Sequence, residues 1–157
     1  MNSFRDFYNK HKDKFFAYLI RCTGDYFLSG DIMQESFTRY LEKYGSNPSS
    51  PALLYTIGRN LFFDSARRQS RKNVSETDGQ DSLYDMEHHL SVREEYRQVL
   101  AAMQQLESDE RDILALTVSS GLSYRGVAEI VGISEANVKV KVHRARIKLR
   151  KIVQAGE

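Results

Sequence analysis

The stretch Gly121-Leu122-Ser123-Tyr124-Arg125-Gly126-Val127-Ala128-Glu129-Ile130-Val131-Gly132-Ile133-Ser134 decides the fold. Gly121 ends one helix and Ser123 is placed to cap the next, a short one over Tyr124–Val131. Gly132 stops that helix, and Ser134 caps a last one from about Glu135 to Val153. Two helices joined by a tight turn containing glycine predict a helix-turn-helix.

The last helix is polarised. Val138, Val142, Ala145, Leu149 and Ile152 step by four, three, four and three, so they share one apolar stripe. Asn137, Lys141, Arg144, Lys148 and Lys151 repeat the same steps about 100° away. Lys139, His143, Arg146 and Arg150 lie one step further round. One face packs, and a broad face is cationic. In a helix-turn-helix the second helix enters the major groove with its N-terminal residues at base edges. Here those are Glu135, Ala136, Asn137, Lys139 and Val140, followed by Lys141, His143 and Arg144. Arginine and lysine read guanine or grip phosphate, and asparagine reads adenine.

Upstream, every periodic segment is also helical. Tyr96, Val99, Leu100 and Met103 form one stripe, and Ile113, Leu114 and Leu116 follow an N-cap expected at Ser108. Phe4, Phe7, Tyr8, His11, Phe15, Tyr18, Leu19 and Cys22 mark a first helix that stops at Gly24. Leu28, Ile32, Phe37, Tyr40, Leu41 and Tyr44 mark a second that stops at Gly45. Leu53, Leu54, Ile57 and Leu61 mark a third, beyond the only two prolines, Pro48 and Pro51. No window alternates with period two over a strand length, so the fold class expected is all-α.

Charge divides the chain. Residues 59–72 hold Arg59, Arg67, Arg68, Arg71 and Lys72 against Asp64. Residues 73–92 hold Glu76, Asp78, Asp81, Asp85 and Glu87 and no lysine or arginine. Residues 123–151 hold eight lysines and arginines against Glu129 and Glu135. The formal net charge of +2 over 157 residues therefore hides two basic blocks around an acidic one. Basic clusters on helices are a footprint for nucleic acid. The polar, non-periodic stretch 73–93 reads as a flexible acidic linker between two helical domains, 1–72 and 94–157. Its 21 residues extend to roughly 70 Å and average about 25 Å as a coil.

Other classes find little support. A single cysteine, Cys22, excludes an internal disulfide framework and a cysteine-cluster zinc site, and its place on an apolar stripe makes it a packing residue. Neither a phosphate-binding glycine loop nor a His-Glu-x-x-His or Gly-x-Ser-x-Gly pattern is present, so no enzymatic role, catalytic residue, metal or cofactor is expected. His88-His89 beside Asp85 and Glu87 is a weak metal candidate. The apolar runs are too short to span a membrane, and Met1–Asp6 does not read as a secretory signal. A cytoplasmic protein is expected. A stand-alone helix-turn-helix regulator remains the main alternative, and it would act as a dimer on duplex DNA.

The quoted turn, with Val138-Lys139 and His143-Arg144-Ala145-Arg146, resembles region 4 of the extracytoplasmic-function (ECF) sigma factors, small members of the sigma-70 family. Asp31-Ile32-Met33-Gln34-Glu35-Ser36-Phe37 is similar to their region 2.2. Leu54-Tyr55-Thr56-Ile57-Gly58-Arg59-Asn60-Leu61, with Asp64 and Arg67-Arg68, is similar to regions 2.3 to 2.4. The resemblance implies a subunit that binds core RNA polymerase, directs it to promoter DNA and helps melt the −10 element. An anti-sigma factor is expected to hold it inactive, and the free protein is expected to be a monomer with no sensor of its own. Carried over by residue, Asp31, Gln34, Glu35 and Phe37 would contact polymerase. Asn60, Asp64, Arg67, Arg68 and Arg71 would lie at the −10 strand. Ser134, Asn137, Lys139, Lys141, His143, Arg144 and Arg146 would face the −35 element. The chain departs from the family pattern at Thr117, often basic, at Val140, often serine, and at Lys141, often arginine.

Overall fold

The computed structural model describes residues 3–45, 48, 50–72 and 94–156. The linker and the His88-His89 candidate lie outside the described residues. Among the described residues there are seven helices: α1 (Ser3–Thr23), α2 (Tyr26–Tyr44), α3 (Pro51–Lys72), α4 (Glu94–Met103), α5 (Ser108–Ser119), α6 (Tyr124–Val131) and α7 (Glu135–Ala155). The all-α expectation holds, and no described residue is in a strand.

The termini of these helices follow local chemistry. Asp25 caps α2 by accepting from the Leu28 N–H at 3.0 Å. α5 begins one residue differently from the expectation. Glu107, not Ser108, is the N-cap, because the Glu110 carboxylate accepts from the Glu107 N–H at 3.1 Å. Leu41, read as part of the α2 stripe, is 41% exposed.

α1 organises the molecule. It packs against α2 and α3 on one side and against α5 on the other. Phe15, Tyr18, Leu19 and Cys22 are fully buried along it. Phe15 meets Tyr55 edge-on at 5.1 Å and Phe37 at 5.7 Å. α3 comes close enough to α1 that position 58 must be glycine. A Cβ there would lie 2.5 Å from Phe15 Cζ, and that ring is buried and cannot retreat.

The two helical groups are closed on one another. A single apolar core runs from Phe15, Tyr40 and Leu54 through Ile113 and Leu116 to Val127, Val138 and Val142. α5 makes this possible: it lies between α1 and α7 and buries Asp112, Ile113, Leu114, Ala115, Leu116 and Ser119. The sequence suggests modules that move independently. The structure joins them, because burying α5 nearly all round requires partners from both halves.

Candidate nucleic-acid interface

α6 and α7 form the turn unit read from the sequence. Ser123 accepts from the Gly126 N–H and Ser134 from the Asn137 N–H, both at 3.1 Å. Gly132, at φ 84°, makes the left-handed turn between the two helices, a conformation that only glycine adopts at no cost. Val138, Val142 and Ala145 anchor α7 in the core. At 100° per residue, the opposite side of its first three turns presents Asn137, Val140, His143 and Arg144, all exposed.

The cationic residues of α7 are not equivalent. Lys141 lies 3.9 Å from Asp109, and Lys148 donates to Glu110 at 2.6 Å. The acidic first turn of α5 thus draws both lysines to the flank of α7. The Glu110 hydrogen bond holds the Lys148 ammonium above its ordinary range. Lys139 pairs with Glu135 at 3.8 Å and stands 5.9 Å over the Tyr124 ring, on the other flank. Arg146 is exposed beside a cleft of about 570 Å³ that Arg21, Val118 and Arg150 also line. Ser134 is committed to the helix cap through its lone pair, and its hydroxyl proton stays available.

The second basic surface is on α3. Asn60, Asp64, Arg67 and Arg71 are spaced i, i+4, i+7 and i+11, so they share one face, and all are exposed. Arg68 is exposed beside them. Asp64 and Arg67 form an ion pair. Phe62 is in the core and Phe63 is half-buried under the Arg59 guanidinium, 5.0 Å from the ring centroid.

On α2, Asp31, Gln34 and Glu35 are exposed, and Glu35 accepts from Arg39 at 2.8 Å. Phe37 differs from these three. It is 4% exposed, packed by Phe4, Phe7, Tyr8 and Phe15. Its ring forms the floor of a groove of about 370 Å³ whose walls include Tyr8, Met33 and Leu41. Phe37 therefore shapes this surface from beneath.

The sequence reading missed the junction between the halves. Asp112 on α5 is completely buried. Its carboxylate accepts from the Tyr18 hydroxyl at 2.6 Å and from Arg59 Nε at 2.7 Å. Burial lifts the Asp112 carboxyl above its ordinary range, against the pull of Arg59 and Tyr18. Burial also pushes the Tyr18 phenol and the Cys22 thiol well up, so neither ionises near neutrality. Arg111 ties the same seam by donating to the carbonyls of Cys22 at 2.9 Å and of Met103 and Leu106 at 3.0 Å. The signal in the sequence was Arg111-Asp112 set directly against the apolar run Ile113–Leu116. Charges placed there have to be paired internally.

The fold and these surfaces define an all-helical protein with a helix-turn-helix at one end and a second basic helix in the other half. Comparisons with known proteins narrow this. The family model for sigma-70, region 4 matches residues 96–149. The chain is 34% identical over 137 residues to the ECF RNA polymerase sigma factor EcfG of Rhodopseudomonas palustris, covering 85% of this chain and 75% of that one. It is 28% identical to ECF RNA polymerase sigma factor SigM of Bacillus subtilis, over 96% of this chain and 95% of that one. In fold it is similar to the sigma factor RpoE of Bartonella quintana, solved with the anti-sigma factor NepR, at TM-score 0.77, 20% identity and full coverage of both chains. CnrH, solved with the cytosolic domain of CnrY, matches at TM-score 0.64 and 20% identity, over 98% of this chain and 89% of that one. The chain belongs to the ECF RNA polymerase sigma factors. None of its described helices is long and apolar enough to cross a membrane.

Proposed function

We propose that residues 1–72 are sigma region 2, residues 94–157 are region 4, and residues 73–93 join them, in a non-catalytic cytoplasmic subunit that acts as a monomer when free. It binds core RNA polymerase and promoter DNA. The observation that carries this reading is the outward side of α7. Asn137, His143 and Arg144 are exposed beyond a capped helix start, where a second helix meets base edges. Ser134, Lys139, Lys141 and Arg146 border them and reach phosphates of the −35 duplex.

In region 2, Asn60 and Asp64 bond unstacked bases of the −10 strand, while Arg67, Arg68 and Arg71 hold its phosphates. Asp31, Gln34 and Glu35 contact basic side chains of polymerase across the surface that Phe37 supports. An anti-sigma factor opposes both, a reading supported by two structural neighbours that were each solved as such complexes or with a partner's cytosolic domain.

The closed arrangement has a mechanical consequence. α3 touches α6. Promoter elements one to two duplex turns apart are separated by roughly 35–70 Å. For one molecule to span both, the two halves joined at Asp112 part from one another.

The test is transcription in vitro by core polymerase on a genomic fragment library, with and without this protein. Transcripts that start at defined sites and share −35 and −10 elements are expected. Retained duplex binding with no core binding and no transcripts would move the assignment to a stand-alone regulator.

A further inference from the structure

The side of α7 that faces away from the core is not uniformly polar. Val140 is 44% exposed, one of four large hydrophobic side chains so exposed among the described residues. It stands two residues from Val138 and two from Val142, both buried, so it points almost directly away from the packed stripe. Ala136, one turn earlier and also exposed, lies in line with it. Asn137 and Arg144 border this apolar strip on one side, and Lys139 and His143 on the other. A valine in an exposed helix position lowers helix propensity and gains no burial. Its surroundings are strongly basic: residues 123–151 hold eight lysines and arginines against two carboxylates. That charge selects a nucleic-acid occupant over an apolar protein surface.

The base edges of the major groove carry hydrogen-bonding groups and one apolar feature, the C5-methyl of thymine. We propose that Val140, with Ala136 beside it, is a specificity-determining contact to a thymine methyl in the −35 duplex. Asn137 and Arg144 fix the neighbouring base pairs, and Lys139 and Lys141, steered by Glu135 and Asp109, reach the phosphates on either side. This rests on the reading that α7 enters the major groove of the −35 element.

The experiment first selects active promoters from a library randomised across the −35 element, using the full-length protein with core polymerase. Each thymine in the selected element is then replaced by uracil, which removes only the methyl group. With wild-type protein, uracil at one position is expected to lower transcription about fourfold, the worth of one buried methyl-sized group. With Val140→Ser, thymine and uracil at that position should perform equally. If the element matters but no uracil substitution does, the methyl contact is overturned while the −35 reading stands. If scrambling the element and Arg144→Ala both leave transcription unchanged, the −35 reading fails and this inference fails with it.

Discussion

Asp112 and Arg144 are both charged side chains of the C-terminal half, and they meet opposite fates. Asp112 is completely buried and satisfied by Tyr18 and Arg59 from the other half. Arg144 is exposed on α7 and has no ion-pair partner among the described residues. One charge is spent inside the fold and holds it closed. The other stays at the surface, where the proposed −35 contact needs it. The same division runs within α7, where Lys141 and Lys148 are drawn to Asp109 and Glu110. Counting positive charges therefore treats as equal side chains that are held differently, and asking which of them are already paired is the better guide to their salt dependence.

The largest effect should come from breaking the inner member of the comparison. Asp112→Ala strands the Arg59 guanidinium and the Tyr18 hydroxyl, and should cost about 3–5 kcal/mol in urea unfolding. Arg144→Ala should leave stability within about 0.5 kcal/mol. Equal costs at the two sites would erase the distinction between them. Gly58→Ala comes next. The close approach of Phe15 makes the added methyl an overpacking error costing about 1–3 kcal/mol, visible in the same unfolding curves.

Among the cations, salt dependence separates paired from unpaired. Arg146→Ala, at an exposed cation assigned to a phosphate, should lower the slope of log K against log salt by about one for −35 duplex binding by the holoenzyme. Lys148→Ala should change that slope less, because Glu110 already neutralises it. The smallest effect concerns pH. Burial, with Lys10 and Lys14 nearby, holds His11 below its ordinary value. The folded state then binds fewer protons than the unfolded one. The contribution of His11 is present above its unfolded value and is lost as pH falls through the folded value. Melting temperatures measured from about pH 7 to pH 5 should fall less for His11→Gln than for wild type.

Much of this was legible in the sequence because local rules agreed. Ser123, Gly132 and Ser134 fix the turn, and the stepping of Val138, Val142 and Ala145 fixes which side of α7 packs. The outward side follows from the same arithmetic. Which cations are free was not legible, since Lys141 and Lys148 are claimed by residues more than thirty positions away. Phe37 carried two readings, a place on the α2 apolar stripe from its spacing and a polymerase contact from the resemblance, and the stripe is where the structure puts it, inside the aromatic core. The closure of the two halves was hidden for the same reason. It depends on pairs such as Tyr18–Asp112 and Arg59–Asp112, separated by 94 and 53 residues.

The closed junction and the outward face make one joint demand, that the halves part when both promoter elements are read. Exposed cysteines introduced as Glu42→Cys on α2 and Glu129→Cys on α6 allow a dye pair to report their separation, since the native Cys22 thiol is buried and unreactive. In the free protein the separation should be the single value set by the closed core. It should lengthen by on the order of 20 Å or more when core polymerase and promoter DNA are added. An unchanged separation in a complex that still transcribes from the promoter would contradict the opening of the junction.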